Sequence, residues 1–167
     1  AQVMLDAKAE AFPVAEEWAQ NEMREVKYTG IVKTMMGAIR HLGPALMSSD
    51  KIIAGKAERQ TLSFRIQGSA AEMTKLAEGR MWKARLEQKF DAEIIGPIHD
   101  EVVASVVVED AVEFIKAMHA CMVAPYAGMK LPVRSSISIG LDFGRQIEIG
   151  ELPTAEAIND GLAQMRA

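Results

Sequence analysis

The feature that most constrains the fold is a pair of β-rich runs, residues 92–98 and 102–108, separated by only three residues. Runs rich in Val and Ile on both sides of so short a connection predict two antiparallel strands joined as a hairpin. Both runs are nearly continuous in apolar residues, so we expect strands that are buried on both faces or nearly so. The connection itself is His99-Asp100-Glu101, three ionisable residues in the middle of an oily stretch.

Helical patterns account for most of the remaining chain. Residues 43–53, rich in Gly, Pro and Ser, are predicted to be a loop, residues 31–36 a short strand or connector, and residues 132–139 a further strand. This order of elements predicts an α+β fold in which an antiparallel sheet is covered on one face by long helices. The predicted helices are 1–11, 13–27 with Pro13 in its first turn, 54–62, 69–90 with an inner stripe of Met73, Leu76, Ala77, Met81, Leu86 and Phe90, 109–123, and a short last helix that Thr154 caps.

Composition excludes several classes of protein. The chain has 167 residues, 49% of them apolar and 25% charged, and no apolar run reaches the roughly 20 residues of a membrane span. A single cysteine, Cys121, excludes an internal disulfide and indicates a reducing, cytoplasmic setting. Because the sequence begins inside an amphipathic helical pattern, without an initiator Met, we expect a processed, split or excised piece of a longer protein.

Charge is distributed unevenly along the chain. Residues 24–89 carry 13 basic and six acidic side chains, a net charge of +7, although the whole chain has a net charge of −4. This basic segment could be a phosphate-facing surface or simply a solvated helix face.

Asp100 and Glu101 are the strongest candidates for chemistry. Two adjacent carboxylates repel each other near an apolar sheet unless a cation compensates them, and magnesium prefers carboxylate oxygens. Solvated turn acids are the simpler alternative. Three other kinds of site are excluded, because the sequence has no Gly-Lys-Ser/Thr of a P-loop, no Gly-x-Ser-x-Gly elbow, and too few Cys and His residues for a zinc cage.

Two motifs carry a resemblance to a known family. The stretch IHDEV (98–102) and the block ERQTLSFRIQGSAAEMTKLA (58–77) resemble the C-terminal fingers-and-palm portion of family A DNA polymerases, the bacterial DNA polymerase I type. The family carries V-H-D-E-L at the tip of a palm hairpin and E-R-x-x-x-N-x-P-x-Q-G-[ST]-A-A-D-x-x-K before a long helix. Further similarity lies in FP…W (12–18), VKTMMG (32–37) and VRSSISIGLDFG (133–144).

The resemblance implies template-directed nucleotidyl transfer to a primer 3′ end by a two-metal mechanism. Asp100 would be one of two aspartates that hold two Mg²⁺ ions, and Glu101 would support it from the neighbouring position. His99 would touch the primer near its 3′ end. The implied partners are primer–template DNA, a dNTP and the N-terminal portion of the polymerase, which would supply the other aspartate and the nucleotide-binding helix.

The Gln-Gly block and the connector before it would contact DNA. Arg59 and Gln67 would reach the minor groove, where correct base pairs present acceptors. Ser63 replaces the family's Asn, so that contact would be shortened or lost. The family's Pro is Arg65, which would add a phosphate contact or be solvated. Of the family's Gly-Arg-Arg, only Arg40 remains as a possible backbone contact.

The resemblance divides the chain into residues 1–50, the last fingers helices and connector, residues 51–150, the C-terminal half of the palm, and residues 151–167, a tail helix without a family counterpart. We expect this chain to act in the cytoplasm of a bacterial or bacteriophage-infected cell, without a membrane partner. Alone, without the N-terminal portion, it should not polymerise DNA. The alternative is a non-catalytic DNA-binding or assembly module derived from such a polymerase. A metal-dependent hydrolase built on Asp100 and Glu101 alone is a third possibility.

Overall fold

The computed structural model describes residues 2–166 of the chain, with the side chains of Met4 and of residues 7–165. The chain forms two compact units that divide between Ala70 and Ala71. Helices and three two-stranded antiparallel sheets make up the described residues, so the predicted α+β class is confirmed. No helix between residues 2 and 166 combines the length and the apolar character that crossing a membrane requires.

The first unit is mainly helical. Its core contains the buried side chains of Val26, Val32 and Leu42. The elements in order are α1 (Gln2–Ala11), α2 (Pro13–Thr29), β1 (Ile31–Lys33), β2 (Ile39–His41), α3 (Gly43–Leu46), α4 (Lys51–Ser63) and a π-helical turn (Phe64–Gly68). The strands β1 and β2 pair antiparallel.

The predicted loop over residues 43–53 is wrong. It contains the single helical turn α3, and α4 begins at Lys51, three residues earlier than predicted. Asp50 is the cap of α4, because its Oδ1 atom accepts a hydrogen bond of 2.8 Å from the Ile52 N–H. The sequence also gave no indication that the π-helical turn runs from α4 directly into the next helix.

The second unit contains two small cores. In one, the buried residues Ala77 and Met81 pack with Ile94 of the first hairpin. In the other, Ile139 and Ile158 pack with the helix between the hairpins. The elements are α5 (Ser69–Gln88, which begins at the end of the first unit), β3 (Ala92–Ile98), β4 (Glu101–Val106), α6 (Ala111–Val123), β5 (Ile137–Asp142), β6 (Arg145–Gly150) and α7 (Ala155–Arg166).

The predicted burial of the first hairpin on both faces is wrong. Ala92 and Ile94 are buried, but the alternate residues Glu93 and Ile95 are exposed, Ile95 by 64%. Only one face of β3 and β4 is covered, by apolar residues of α5 and α6. The α5 stripe is likewise only partly as predicted, since Leu86 lies 66% exposed.

The predicted single sheet is replaced by three separate strand pairs within the described residues. The strand predicted over residues 132–139 begins only at Ile137, and its partner β6 was not predicted. The last helix is confirmed: the Thr154 Oγ1 atom accepts a hydrogen bond of 3.1 Å from the Ala157 N–H. Its residue Ile158 is fully buried, so α7 completes a core of the second unit. The functional division at residues 50 and 150 stays a prediction.

Candidate functional site

The tip of the β3–β4 hairpin is a two-residue turn. Ile98 pairs with Glu101, which leaves His99 and Asp100 between the strands. The side chains of His99, Asp100 and Glu101 are all exposed. His99 has a φ of +56°, a left-handed conformation that tight hairpin turns normally assign to Gly or Asn. A bulky ionisable residue therefore stands where the backbone favours a small one.

A β-bulge lies just before this tip. Ile94 pairs with Ala104 and Gly96 with the next residue, Val103, so that Ile95 is an extra residue in β3. Gly96 has a φ of +141°, which side-chain-bearing residues rarely adopt. A Cβ atom there would meet nothing within 4 Å, so backbone conformation alone calls for glycine. Bulges bend and twist a hairpin, and this one sets the direction in which the tip points.

The tip offers hard oxygen ligands but an incomplete metal site. The carboxylates of Asp100 and Glu101 have the donor chemistry that Mg²⁺ prefers. Asp100 belongs to the turn, whereas Glu101 is the first residue of β4, so the two carboxylates stand on different parts of the hairpin. The side chains that the structure describes include no cluster of three or more His, Cys, Asp or Glu that could hold a metal. Asp100 fits the magnesium expectation only as one ligand of a site whose other oxygens come from elsewhere.

The second group of predicted residues forms one exposed polar face of the first unit. Arg59, Ser63 and Gln67 are exposed and follow each other at intervals of four residues along α4 and the π-helical turn. Residues four apart on a helix lie on the same side. The Ser63 hydroxyl donates a hydrogen bond of 2.8 Å to Gln67 Oε1. Arg40 of β2 lies beside this turn, its guanidinium carbon 5.6 Å from the centre of the Phe64 ring.

Arg65 makes contacts within the first unit that the sequence did not suggest. Its Nη1 atom donates a hydrogen bond of 2.8 Å to the Lys33 carbonyl, and its Nη2 atom lies 3.4 Å from Glu22 Oε1. Arg65 thus ties the π-helical turn to β1 and α2. An arginine in place of the family's proline was visible in the sequence, but its partners 32 and 43 positions away were not.

The groups with shifted pKa values are at the end of α6. Burial raises the pKa of the Cys121 thiol above its usual 9.0, and the positive charge of Arg80 partly offsets this. Burial also raises the pKa of Tyr126 above 10.0, against the same opposing charge. Arg80 donates a hydrogen bond of 2.9 Å to the Pro125 carbonyl and stacks 4.6 Å from the Tyr126 ring centre. This cluster holds α5 against the end of α6, and its role is structural.

Comparisons with known proteins agree on one family. Residues 1–145 match the family model for DNA polymerase family A. The thermostable DNA polymerase I of Thermus aquaticus is 28% identical over 143 residues, 86% of this chain and 17% of that protein. DNA polymerase I of Streptococcus pneumoniae serotype 4 is 31% identical over 122 residues, 73% of this chain and 14% of the relative. The chain therefore spans about a sixth of the length of these curated relatives.

A solved structure gives the same result in three dimensions. The POL domain of Pol1 from M. smegmatis, in complex with DNA primer-template and dNTP, superposes with a TM-score of 0.73 at 25% sequence identity. The match covers 78% of this chain and 23% of that one. The family model covers the Gln-Gly block, the His-Asp-Glu hairpin and the start of β6. The chain belongs to DNA polymerase family A.

Proposed function

We propose that this chain forms part of a DNA-directed DNA polymerase and acts in template-directed nucleotidyl transfer to a primer 3′ end. The observation that carries the proposal is the exposed His99-Asp100-Glu101 tip, held by a bulged hairpin inside the segment that matches the family. Because the chain spans only about a sixth of its relatives, the activity belongs to an assembly with the N-terminal polymerase portion, on the same or a separate polypeptide.

Asp100 is the residue that would hold metal in this assembly. Its exposed carboxylate lies at the tip of the β3–β4 hairpin, where it can meet oxygen ligands from a second aspartate and from the dNTP phosphates. Bound Mg²⁺ ions would lower the charge barrier between the primer 3′ oxygen and the triphosphate. Glu101 adds negative charge beside Asp100 from the first position of β4, and His99 orients the primer end.

The polar face of Arg59, Ser63 and Gln67 would follow the primer–template duplex. Every correct base pair presents purine N3 and pyrimidine O2 as acceptors in the minor groove, so donors of Arg59 and Gln67 can test pair shape without reading sequence. The surrounding segment, residues 24–89, has a net charge of +7, which favours contact with phosphates, and Arg40 is a candidate for one such contact.

Reconstitution tests this proposal. The chain is mixed with the N-terminal portion of the polymerase, and primer extension is measured with and without Mg²⁺. Asp100→Asn should lower extension by on the order of 10³-fold, because metal coordination contributes several kcal/mol to such transition states. Asp160→Asn is the matched control, since Asp160 is an exposed aspartate of α7 outside the family match and should leave extension unchanged.

Two outcomes would redirect the proposal. Full extension by the Asp100→Asn protein would remove Asp100 from the metal site. Tight binding of primer–template without extension under any condition would favour a non-catalytic DNA-binding or assembly module.

A further inference from the structure

The hydroxyl of Ser63 makes an unusual contact for a serine at the end of a helix. Thr61 and Ser69 direct their hydroxyls back to the carbonyl oxygens four residues earlier, Ala57 and Arg65. Ser63 instead donates forward, at 2.8 Å, to the side-chain oxygen of Gln67. Both side chains are exposed, so no burial forces them together.

We propose that Ser63 is a positioning residue that orients the Gln67 side-chain amide, so that its NH₂ group faces the DNA. The proposal deepens the proposed function and rests on it. It also changes what the serine does: Ser63 acts through Gln67 and does not stand in for the family's asparagine as a shortened DNA contact.

The chemistry of the amide explains why its orientation matters. A glutamine amide has an acceptor end and a donor end, and rotation about its last bond exchanges them. With Oε1 engaged by the Ser63 hydroxyl, both N–H bonds of Nε2 are without a protein partner in the part of the chain that the structure describes. The minor-groove edge of a correct pair presents acceptors at purine N3 and pyrimidine O2. The engaged amide therefore offers donors to those acceptors, whereas the reversed amide would offer a carbonyl that repels them.

The backbone beneath Gln67 is held in place from the other side. The Ser69 hydroxyl accepts a hydrogen bond of 2.9 Å from the Met35 N–H and donates to the Arg65 carbonyl. A Cβ atom on Gly68 would lie only 2.9 Å from Thr34 Cγ2, so glycine allows the turn to approach that threonine closely.

Arg65 adds its hydrogen bond to the Lys33 carbonyl. Because these contacts fix the π-helical turn, the remaining freedom of Gln67 is in its side chain, and Ser63 restrains it.

A double-mutant cycle in the reconstituted polymerase tests the inference. Single-nucleotide extension is measured from a matched primer end and from a mismatched one, for Ser63→Ala, Ser63→Thr, Gln67→Ala and the Ser63→Ala/Gln67→Ala double variant. Loss of one hydrogen bond should lower matched extension of Ser63→Ala by about 3- to 10-fold, with a smaller loss at the mismatch. Ser63→Thr keeps the hydroxyl and should restore the discrimination. In the Gln67→Ala background, Ser63→Ala should have no further effect.

The outcomes separate this inference from the function on which it rests. An equal loss from Ser63→Ala with and without Gln67 would show that Ser63 acts on DNA or on folding by itself, and would overturn the inference. No change in Ser63→Ala beside a clear loss in Gln67→Ala would overturn it as well. The proposed function would survive both results if Asp100→Asn still abolishes extension.

Discussion

Replacement of His99 by glycine should make the protein more stable and the polymerase less active. His99 has a φ of +56° and an exposed side chain that makes no hydrogen bond or ion pair with the part of the chain that the structure describes. The left-handed conformation costs an L-residue about 1–2 kcal/mol. Glycine removes that cost but loses about 0.5–1 kcal/mol through its greater freedom in the unfolded chain. We therefore expect His99→Gly to raise the free energy of unfolding by about 0.5–1 kcal/mol.

Urea unfolding measures the gain. Trp18 lies in the first unit and Trp82 in the second, so in a Trp18→Phe background the fluorescence of Trp82 reports on the unit that contains His99. With a typical dependence of about 1–3 kcal/mol per molar urea, the midpoint should rise by roughly 0.2–1 M. Primer extension by the reconstituted polymerase should fall in the same variant, because we propose that the imidazole of His99 orients the primer end.

Lys89 provides a matched control. It has a φ of +57°, is exposed, and follows the last residue of α5, away from the hairpin turn. Lys89→Gly should give a similar gain in stability without a change in extension. If His99→Gly fails to stabilise while Lys89→Gly does, the strain assigned to the turn is refuted. If both variants extend primers normally, His99 has no part in the site.

Three further predictions concern the second unit. Gly96→Ala should lower the free energy of unfolding by about 1–2 kcal/mol in the same urea assay, because alanine is strained at a φ of +141°, and an unchanged midpoint would contradict the bulge geometry. Arg80→Met should lower the free energy of unfolding by about 2 kcal/mol, because it removes the hydrogen bond to the Pro125 carbonyl and the stacking on Tyr126. A loss below about 0.5 kcal/mol, the value of a single exposed contact, would contradict the structural role of Arg80. The raised pKa values of Cys121 and Tyr126 mean that the folded protein holds these protons more tightly than the unfolded chain, so the free energy of unfolding should fall as pH rises above about 9. Cys121 should also react with iodoacetamide more slowly than a free thiol. A free energy of unfolding that increases with pH in that range would contradict the prediction.

The helices could be predicted from the sequence because their causes are local. The 3.6-residue apolar period placed α2 and α5, and single residues marked two helix starts, Pro13 at the first turn of α2 and Thr154 before α7. The hairpin was predictable for the same reason: two β-rich runs and a three-residue connection leave few other folds. Asp50 shows the limit of this approach, because the Gly, Pro and Ser residues around it predict a loop, whereas its side chain caps α4.

The errors concern contacts between distant parts of the chain. A run of apolar residues indicates that a strand can be buried, but only tertiary packing decides how many of its faces are covered. The apolar run predicts that Ile95 is buried, whereas it is exposed in the structure. The strand β6 was missed although Ile147 and Ile149 alternate with polar residues after a tight turn at Asp142, a pattern that the sequence does contain.

The candidate site was found through motifs, but its internal geometry was not. The exposed positions of Asp100, Arg59 and Gln67 agree with a surface role for each of them. The hydrogen bond from Ser63 to Gln67 and the anchoring of Arg65 depend on a π-helical turn, which no pattern of residues at this length predicts.

Photo-crosslinking of the primer end tests the central claim, that the β3–β4 tip is the part of this chain at the reacting centre. A primer with a photoreactive 3′-terminal nucleotide is bound by the reconstituted polymerase with template and Mg²⁺, irradiated, and the attached peptide is identified by mass spectrometry. We predict attachment to the peptide that contains His99, Asp100 and Glu101. This attachment should be lost when the photoreactive primer is supplied without its template, so that no duplex forms. Attachment confined to the β5–β6 turn around the exposed Phe143 would contradict the account, because the primer end would then lie at a different hairpin.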